Sequence, residues 1–174
     1  MEKVTNMNTQ KSSGFQEDLE YLRHTPLLRR LDYECMKLLA MVSRRVDFTA
    51  GDQVAVQGED DGQAYFIIAG QLQAYYVKDG ISHLVRTYDS GQFIGSLALL
   101  GKMPRIFTLQ AQEDAEALRL GRDEFQKALE QFPSSLSKII SCLTTELLAW
   151  DRMLLEDEGF KMEKDFHALG ISLL

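Results

Sequence analysis

Residues 91–108 read GQFIGSLALLGKMPRIFT: glycines, a short apolar run, and one arginine directly behind a proline. A glycine turn at Gly95 followed by Ser96, Leu97, Ala98, Leu99 and Leu100 turns the free N–H groups of a short helix toward a cavity, and such groups favour an anion. Arg105 supplies the matching charge. Its planar fork suits phosphate, and Pro104 before it fixes the chain's re-entry into a strand. One arginine is thus matched to one phosphate. A nucleotide-triphosphate P-loop is excluded, because Gly95 and Gly101-Lys102 are one residue too far apart and Met103 stands where Ser or Thr is required.

Around this stretch the hydrophobic period divides the chain. Residues 1–14 are polar and are expected to be disordered. From Phe15, Leu19 and Leu22, and then Met36, Leu39 and Ala40 behind a candidate N-cap at Asp32, predict two short helices. Between Val46 and Leu120 come short alternating runs (QVAVQ, QLQAYYV, EALRL) broken by Gly51, Gly58, Gly62, Gly70, Gly80 and Gly91. That punctuation predicts an antiparallel roll or barrel. Helical spacing returns after Asp123, is interrupted at Pro133, and resumes from a cap at Ser134 or Ser135 to about Glu156. The fold class is therefore α+β, an antiparallel β-roll of jelly-roll-like form flanked by N-terminal helices and a long C-terminal helix.

Composition limits the functions available. The chain has 174 residues, 45% of them apolar, enough for one domain with a substantial core. Nineteen basic against 26 acidic residues give a net charge of -7, which opposes general attraction to a nucleic-acid backbone. The start has no apolar stretch of signal-peptide type, and no later run approaches the ~20 residues of a membrane span, so no membrane association and a cytoplasmic location are expected. Cys35 and Cys142 form no CxxC unit and read as small buried hydrophobes.

The C-terminal helix, 134–156, carries the clearest period in the chain. Leu136, Ile140, Leu143, Leu147, Trp150 and Leu154 are spaced 4, 3, 4, 3, 4, the a/d stripe of a coiled coil, and predict a homodimer seam. A helix packed on its own barrel would show a wider stripe, and Ile139 and Leu148 do broaden this one.

At these residues the chain resembles the cyclic-nucleotide-binding domain family, to which the bacterial catabolite activator protein and the regulatory subunits of protein kinase A belong. The family's phosphate-binding cassette reads approximately F-G-E-[LM]-A-L-x(3,4)-P-R-x-A-[TS]-V, against FIGSLALLGKMPRIFTL here. HTPLLRRLDYECMKLLAMV is similar to the family's helical entry and FTAGDQVAVQGEDDGQAYFIIAGQLQAYY to its first strands. The likeness covers about residues 24–156, within a domain set at 15–156 and followed by a tail, 157–174. It implies a ligand held by Gly95, Ser96, Leu97, Ala98, Arg105 and Ile106, with residues near Trp150 and Asp151 over the base. Cyclic AMP or cyclic GMP is the implied ligand, ahead of a cyclic dinucleotide. Trp150 has two readings, an aromatic lid on a purine or a large residue in the dimer seam.

Two positions depart from the pattern. The family's glutamate that accepts hydrogen bonds from the ribose 2′-hydroxyl is here Ser96, a loss worth about 10- to 150-fold in affinity if nothing compensates. Phe107 replaces the usual alanine and, if Arg105 opens a strand, shares its face.

His24, His83 and His167 are scattered, and no HxH, HExxH or GxSxG spacing occurs, so neither a metal centre nor a hydrolase is expected. The family's transcription regulators continue into a helix-turn-helix domain, whereas this sequence ends in KMEKDFHALGISLL, so direct DNA binding is not expected. Two functions follow. One is a stand-alone dimeric sensor that signals ligand to a protein partner through a hinge near Phe132-Pro133; the other is a ligand-free dimeric scaffold for such a partner.

Overall fold

Eight short strands pair into two four-stranded antiparallel sheets that face one another. The computed structural model of the protein describes residues 14–156, with backbone alone at 146 and 150–156. The strands are β1 Arg44–Phe48, β2 Gln53–Ala55, β3 Gln63–Ala69, β4 Leu72–Lys78, β5 Ile81–Tyr88, β6 Phe93–Ile94, β7 Thr108–Ala111 and β8 Ala115–Gly121. One sheet has the order β1-β8-β3-β6 and the other β2-β7-β4-β5. Apart from the β4-β5 hairpin, consecutive strands therefore pass back and forth between the sheets. This is the expected β-roll, open at its edges. Helix α1 spans 14–23, α2 Tyr33–Val42, a 3-10 helix Ser96–Leu99, α3 Arg122–Gln131 and α4 Pro133–Glu156.

β3 shows why the roll has two cores. Its run AYFIIA has no polar face, because one side packs on helices and the other on the opposite sheet. Ala64 and Phe66 join Leu118 and Leu120 against Leu22, Leu39, Leu99, Phe125 and Ile139. Ile67 looks the other way, into a second cluster with Leu72, Ala74, Tyr88, Ile94, Phe107 and Leu109. Each such large side chain contributes about 1.5–3 kcal/mol by leaving water. Gly70, at φ +79°, makes the tight turn into β4; a side chain there would run into the Asp114 carbonyl and Ala115.

The helix boundaries fall where expected, but the side-chain caps do not form. Asp32 stands at the N-cap of α2 but makes no side-chain cap there. Its carboxylate instead accepts hydrogen bonds from Ser134 Oγ (2.6 Å), Ser135 Oγ (3.0 Å) and Lys138 Nζ (2.5 Å), so it fastens α2 to α4. The helical run breaks between Gln131 and Pro133, as expected, with Phe132 outside the helical region. Pro133 then opens the next helix instead of lying in a linker before it. It is the first residue of α4, where its missing N–H costs nothing, and the two serines lie in the first turn rather than capping it.

Along α4, Ser135, Ile139 and Cys142 are buried against the body of the domain, with Leu143 packed beside them. Leu136, Ile140, Leu147 and Leu148 face outward, each about half exposed. The side chains of Trp150 and Leu154, the polar start at 1–13 and the tail at 157–174 lie outside the described residues. Cys35 and Cys142 are buried free thiols, as expected.

Candidate functional site

β6 delivers the chain to Gly95, which sits at φ +85° and hands over to the 3-10 helix. The glycine is required on two counts. The left-handed backbone disfavours a side chain, and a Cβ there would lie 2.6 Å from the Gln63 carbonyl oxygen and 2.7 Å from Arg105 Nη1. Ala98 and Leu99 are buried and pin the helix to the domain, while Ser96 and Leu97 are half-buried.

Arg105 comes back beneath this turn. It precedes β7 rather than opening it, and its backbone pairs with the loop between β2 and β3: Arg105 N donates to Glu59 O and Gly58 N donates to Arg105 O, both at 2.8 Å. The side chain is 4% exposed. Its guanidinium is clamped by Asp61, with Nε on Oδ1 and Nη2 on Oδ2, each at 3.0 Å, and Nη2 also donates to the Gln63 carbonyl. A planar fork has met a carboxylate in the bidentate manner in which it would meet phosphate.

The neighbouring acid holds a second arginine. Asp60 accepts from both terminal nitrogens of Arg122, at the start of α3, and Arg122 Nε donates to the Ala98 carbonyl at 2.6 Å. The Arg122 hydrogen bonds hold the Asp60 carboxyl below the usual carboxylate range. One short loop, 58–62, thus grips the cassette through Asp61 and the helical end of the domain through Asp60.

Phe107 lies inside the roll, 3% exposed, with its ring centroid 6.5 Å from that of Tyr88. Ile106, between the two buried residues, is 45% exposed and points away from this core. The structure therefore brings Gly95, Ser96, Leu97, Ala98 and Arg105 together, and leaves Ile106 at the surface. Sequence reasoning missed Asp61 and Asp60, whose partners lie 44 and 62 residues away. Among the described residues no three His, Cys, Asp or Glu side chains converge as a metal site. No described helix is long and apolar enough to cross a membrane.

The profile of the Cyclic nucleotide-binding domain matches residues 45–132, half of the chain and all of the roll from β1 to the end of α3. The chain belongs to the cyclic nucleotide-binding domain family. A cAMP-dependent protein kinase regulatory subunit of Neurospora crassa is 33% identical over 121 residues, 68% of this chain and 30% of that protein. A cyclic nucleotide-binding-like protein of Brucella abortus superposes with a TM-score of 0.61 at 25% identity, covering 66% of this chain and 98% of the other. The N-terminal domain of a transcriptional regulator from Streptomyces coelicolor shares the fold at a TM-score of 0.69 and 23% identity, covering 80% of this chain and 98% of that one. The chain spans about a third of the length of the curated relatives it matches.

Proposed function

We propose that this chain is a non-catalytic regulatory domain that binds a cyclic nucleotide or related phosphate ligand through the amides after Gly95 and the Arg105 guanidinium, and relays occupancy to a protein partner. One observation carries the reading: Arg105 is buried under the Gly95 turn with its fork already filled by a carboxylate, the arrangement of a phosphate site whose anion is supplied internally. A ligand phosphate would exchange with Asp61. That exchange would free the loop 58–62, whose other acid holds Arg122 at the head of α3, and so reach the α3–α4 junction at Phe132. A ligand moves such an equilibrium only by its preference for one state, here the state with Asp61 displaced.

A second reading is favoured by Phe107. With its ring filling the interior of the roll and Asp61 satisfying Arg105, the domain would serve as a ligand-free scaffold that presents the outer face of α4 to a partner or to a second copy. Thermal unfolding with millimolar cyclic AMP, cyclic GMP and cyclic dinucleotides separates the two. A sensor gains about 2.7 kcal/mol at a hundredfold excess of ligand over Kd, and the gain disappears in Arg105→Ala. A scaffold shows no gain with any of them.

A further inference from the structure

We propose a second anion site, separate from the Gly95 turn and Arg105, in which Arg44 and Arg119 together hold a phosphate monoester or free phosphate. The two arginines are direct partners across the β1–β8 pair, and partners share a face of the sheet. That face is the concave one. Phe48 of β1 and Ala115 of β8, an even number of residues away, belong to the inner cluster of the roll, whereas Leu118 and Leu120 face the helices. Directly opposed residues have Cα atoms about 4.5–5.5 Å apart, and like charges so placed repel. Among the described residues neither arginine has an ion pair or a side-chain hydrogen bond to relieve that repulsion.

The neighbouring arginine shows what compensation looks like. Arg45, next along β1 and turned to the opposite face, gathers Glu17, Asp18 and Glu116. Asp60 and Asp61 are committed to Arg122 and Arg105. Glu124, whose carboxylate lies where a Gly121 side chain would stand, forms no ion pair with Arg44 or Arg119. In a chain of net charge -7, two opposed arginines are thus left for an anion from outside. The place is also distinct from the cassette. In the order β1-β8-β3-β6, Arg119 and Arg44 stand two and three strands from the strand that leads into Gly95, about 10 and 14 Å. Tyr65 stands between them and that strand, 5% exposed, its hydroxyl donating to the Val54 carbonyl at 3.4 Å and its ring edge-on to Phe48.

Two guanidinium forks side by side select the anion. A carboxylate has two oxygens, and a single fork uses both. A phosphate monoester presents three terminal oxygens and a charge of about -1.5 to -2 at pH 7, so two forks can share it and both positive charges are answered. A cyclic phosphodiester, with two free oxygens and one charge, matches the pair less well. Arg119 is half-buried and Arg44 exposed, so the site opens outward at the start of β1 and has room for a phosphate carried on a larger molecule as well as for the free ion.

The test is titration with inorganic phosphate and with phenyl phosphate at constant ionic strength, chloride making up the balance, followed by the arginine Nε–Hε resonances and by calorimetry. The proteins are wild type, Arg44→Gln, Arg119→Gln and Arg105→Ala. Expected are saturable shifts at Arg44 and Arg119, with an affinity that falls about 10- to 150-fold in either glutamine variant and is unchanged in Arg105→Ala. Arg44 is exposed and Arg44→Gln removes one of two repelling charges, so in phosphate-free buffer this variant should unfold at a higher temperature than wild type, and added phosphate should close the gap. An arginine kept for packing alone would lower the midpoint when replaced. Phenyl phosphate bound as well as inorganic phosphate marks a group carried on a larger ligand, and inorganic phosphate alone marks the free ion; both support the site. Shifts confined to Arg105, an affinity that survives both glutamine variants, or no saturable binding to wild type would each overturn it. The outcome does not depend on whether a cyclic nucleotide binds at Arg105.

Discussion

Asp61 and Arg105 decide how the site behaves, because each is the other's competitor for outside partners. Arg105 is almost wholly buried while Asp61 keeps 23% of its side chain exposed, so removing the arginine leaves an acid that water can partly reach. Arg105→Ala should therefore cost about 3 kcal/mol, at the low end for breaking a buried pair, and ligand shifts must be compared with that lowered baseline. Asp61→Asn acts in the opposite sense on binding. It removes the internal anion, leaves Arg105 able to donate to the Gln63 carbonyl, and should raise affinity for a phosphate ligand by up to about 10- to 150-fold, the worth of one charged hydrogen bond, while lowering the midpoint of the free protein. Equal affinity in wild type and Asp61→Asn, read by titration, would mean that the carboxylate is not what a ligand displaces. The arginine was legible in the sequence because Pro104-Arg105 and Gly95 are close along the chain and of unusual type. Its lock was not, because Asp61 is 44 residues away and only the approach of the 58–62 loop brings it near.

Between elements, the junction of α2 and α4 depends on one charge. Hydrogen bonds from Lys138, Ser134 and Ser135 lower the Asp32 carboxyl from 3.8 to about 2. A carboxyl with a depressed native pKa favours the folded state when ionised, so this contribution is complete above about pH 4 and is lost as the pH falls through about 2. Wild type should therefore unfold at a higher temperature than Asp32→Asn near neutrality, and the two curves should converge across that acid window. Parallel curves down to pH 2 would show that the clasp holds without its charge. Sequence reading placed the helices well, since Leu19, Leu22, Met36, Leu39 and Ala40 all prove to be buried at helical spacing. It found the boundary at Asp32 but not what the boundary residues bond to. A Ser or Asp at a helix boundary has the same chemistry whether it bonds its own backbone or another helix, and here tertiary contact won at both ends.

For the whole molecule, the open question is what covers the outer side of α4. The helix uses Ile139 and Cys142 to hold the domain, yet it sets Leu136, Ile140, Leu147 and Leu148 in water along a further stripe. Scattered exposed leucines are ordinary, but three on one helix in heptad step, Leu136, Ile140 and Leu147, with Leu148 beside the last and Leu143 turned partly to the domain, form an apolar face of the kind that associates. A second copy is the simplest occupant, because a two-fold pairing lays the same stripe against itself. Ile140→Asp places a charge at the middle of that seam, and Ile140 is 56% exposed, so the monomer's own core is untouched. Sedimentation equilibrium should then show wild type as a dimer and Ile140→Asp as a monomer, with wild type alone having an unfolding midpoint that rises with protein concentration. A wild type that stays monomeric at high concentration would assign the stripe to a different protein, and the ligand signal would leave the domain through that contact instead of through a change in its own dimer.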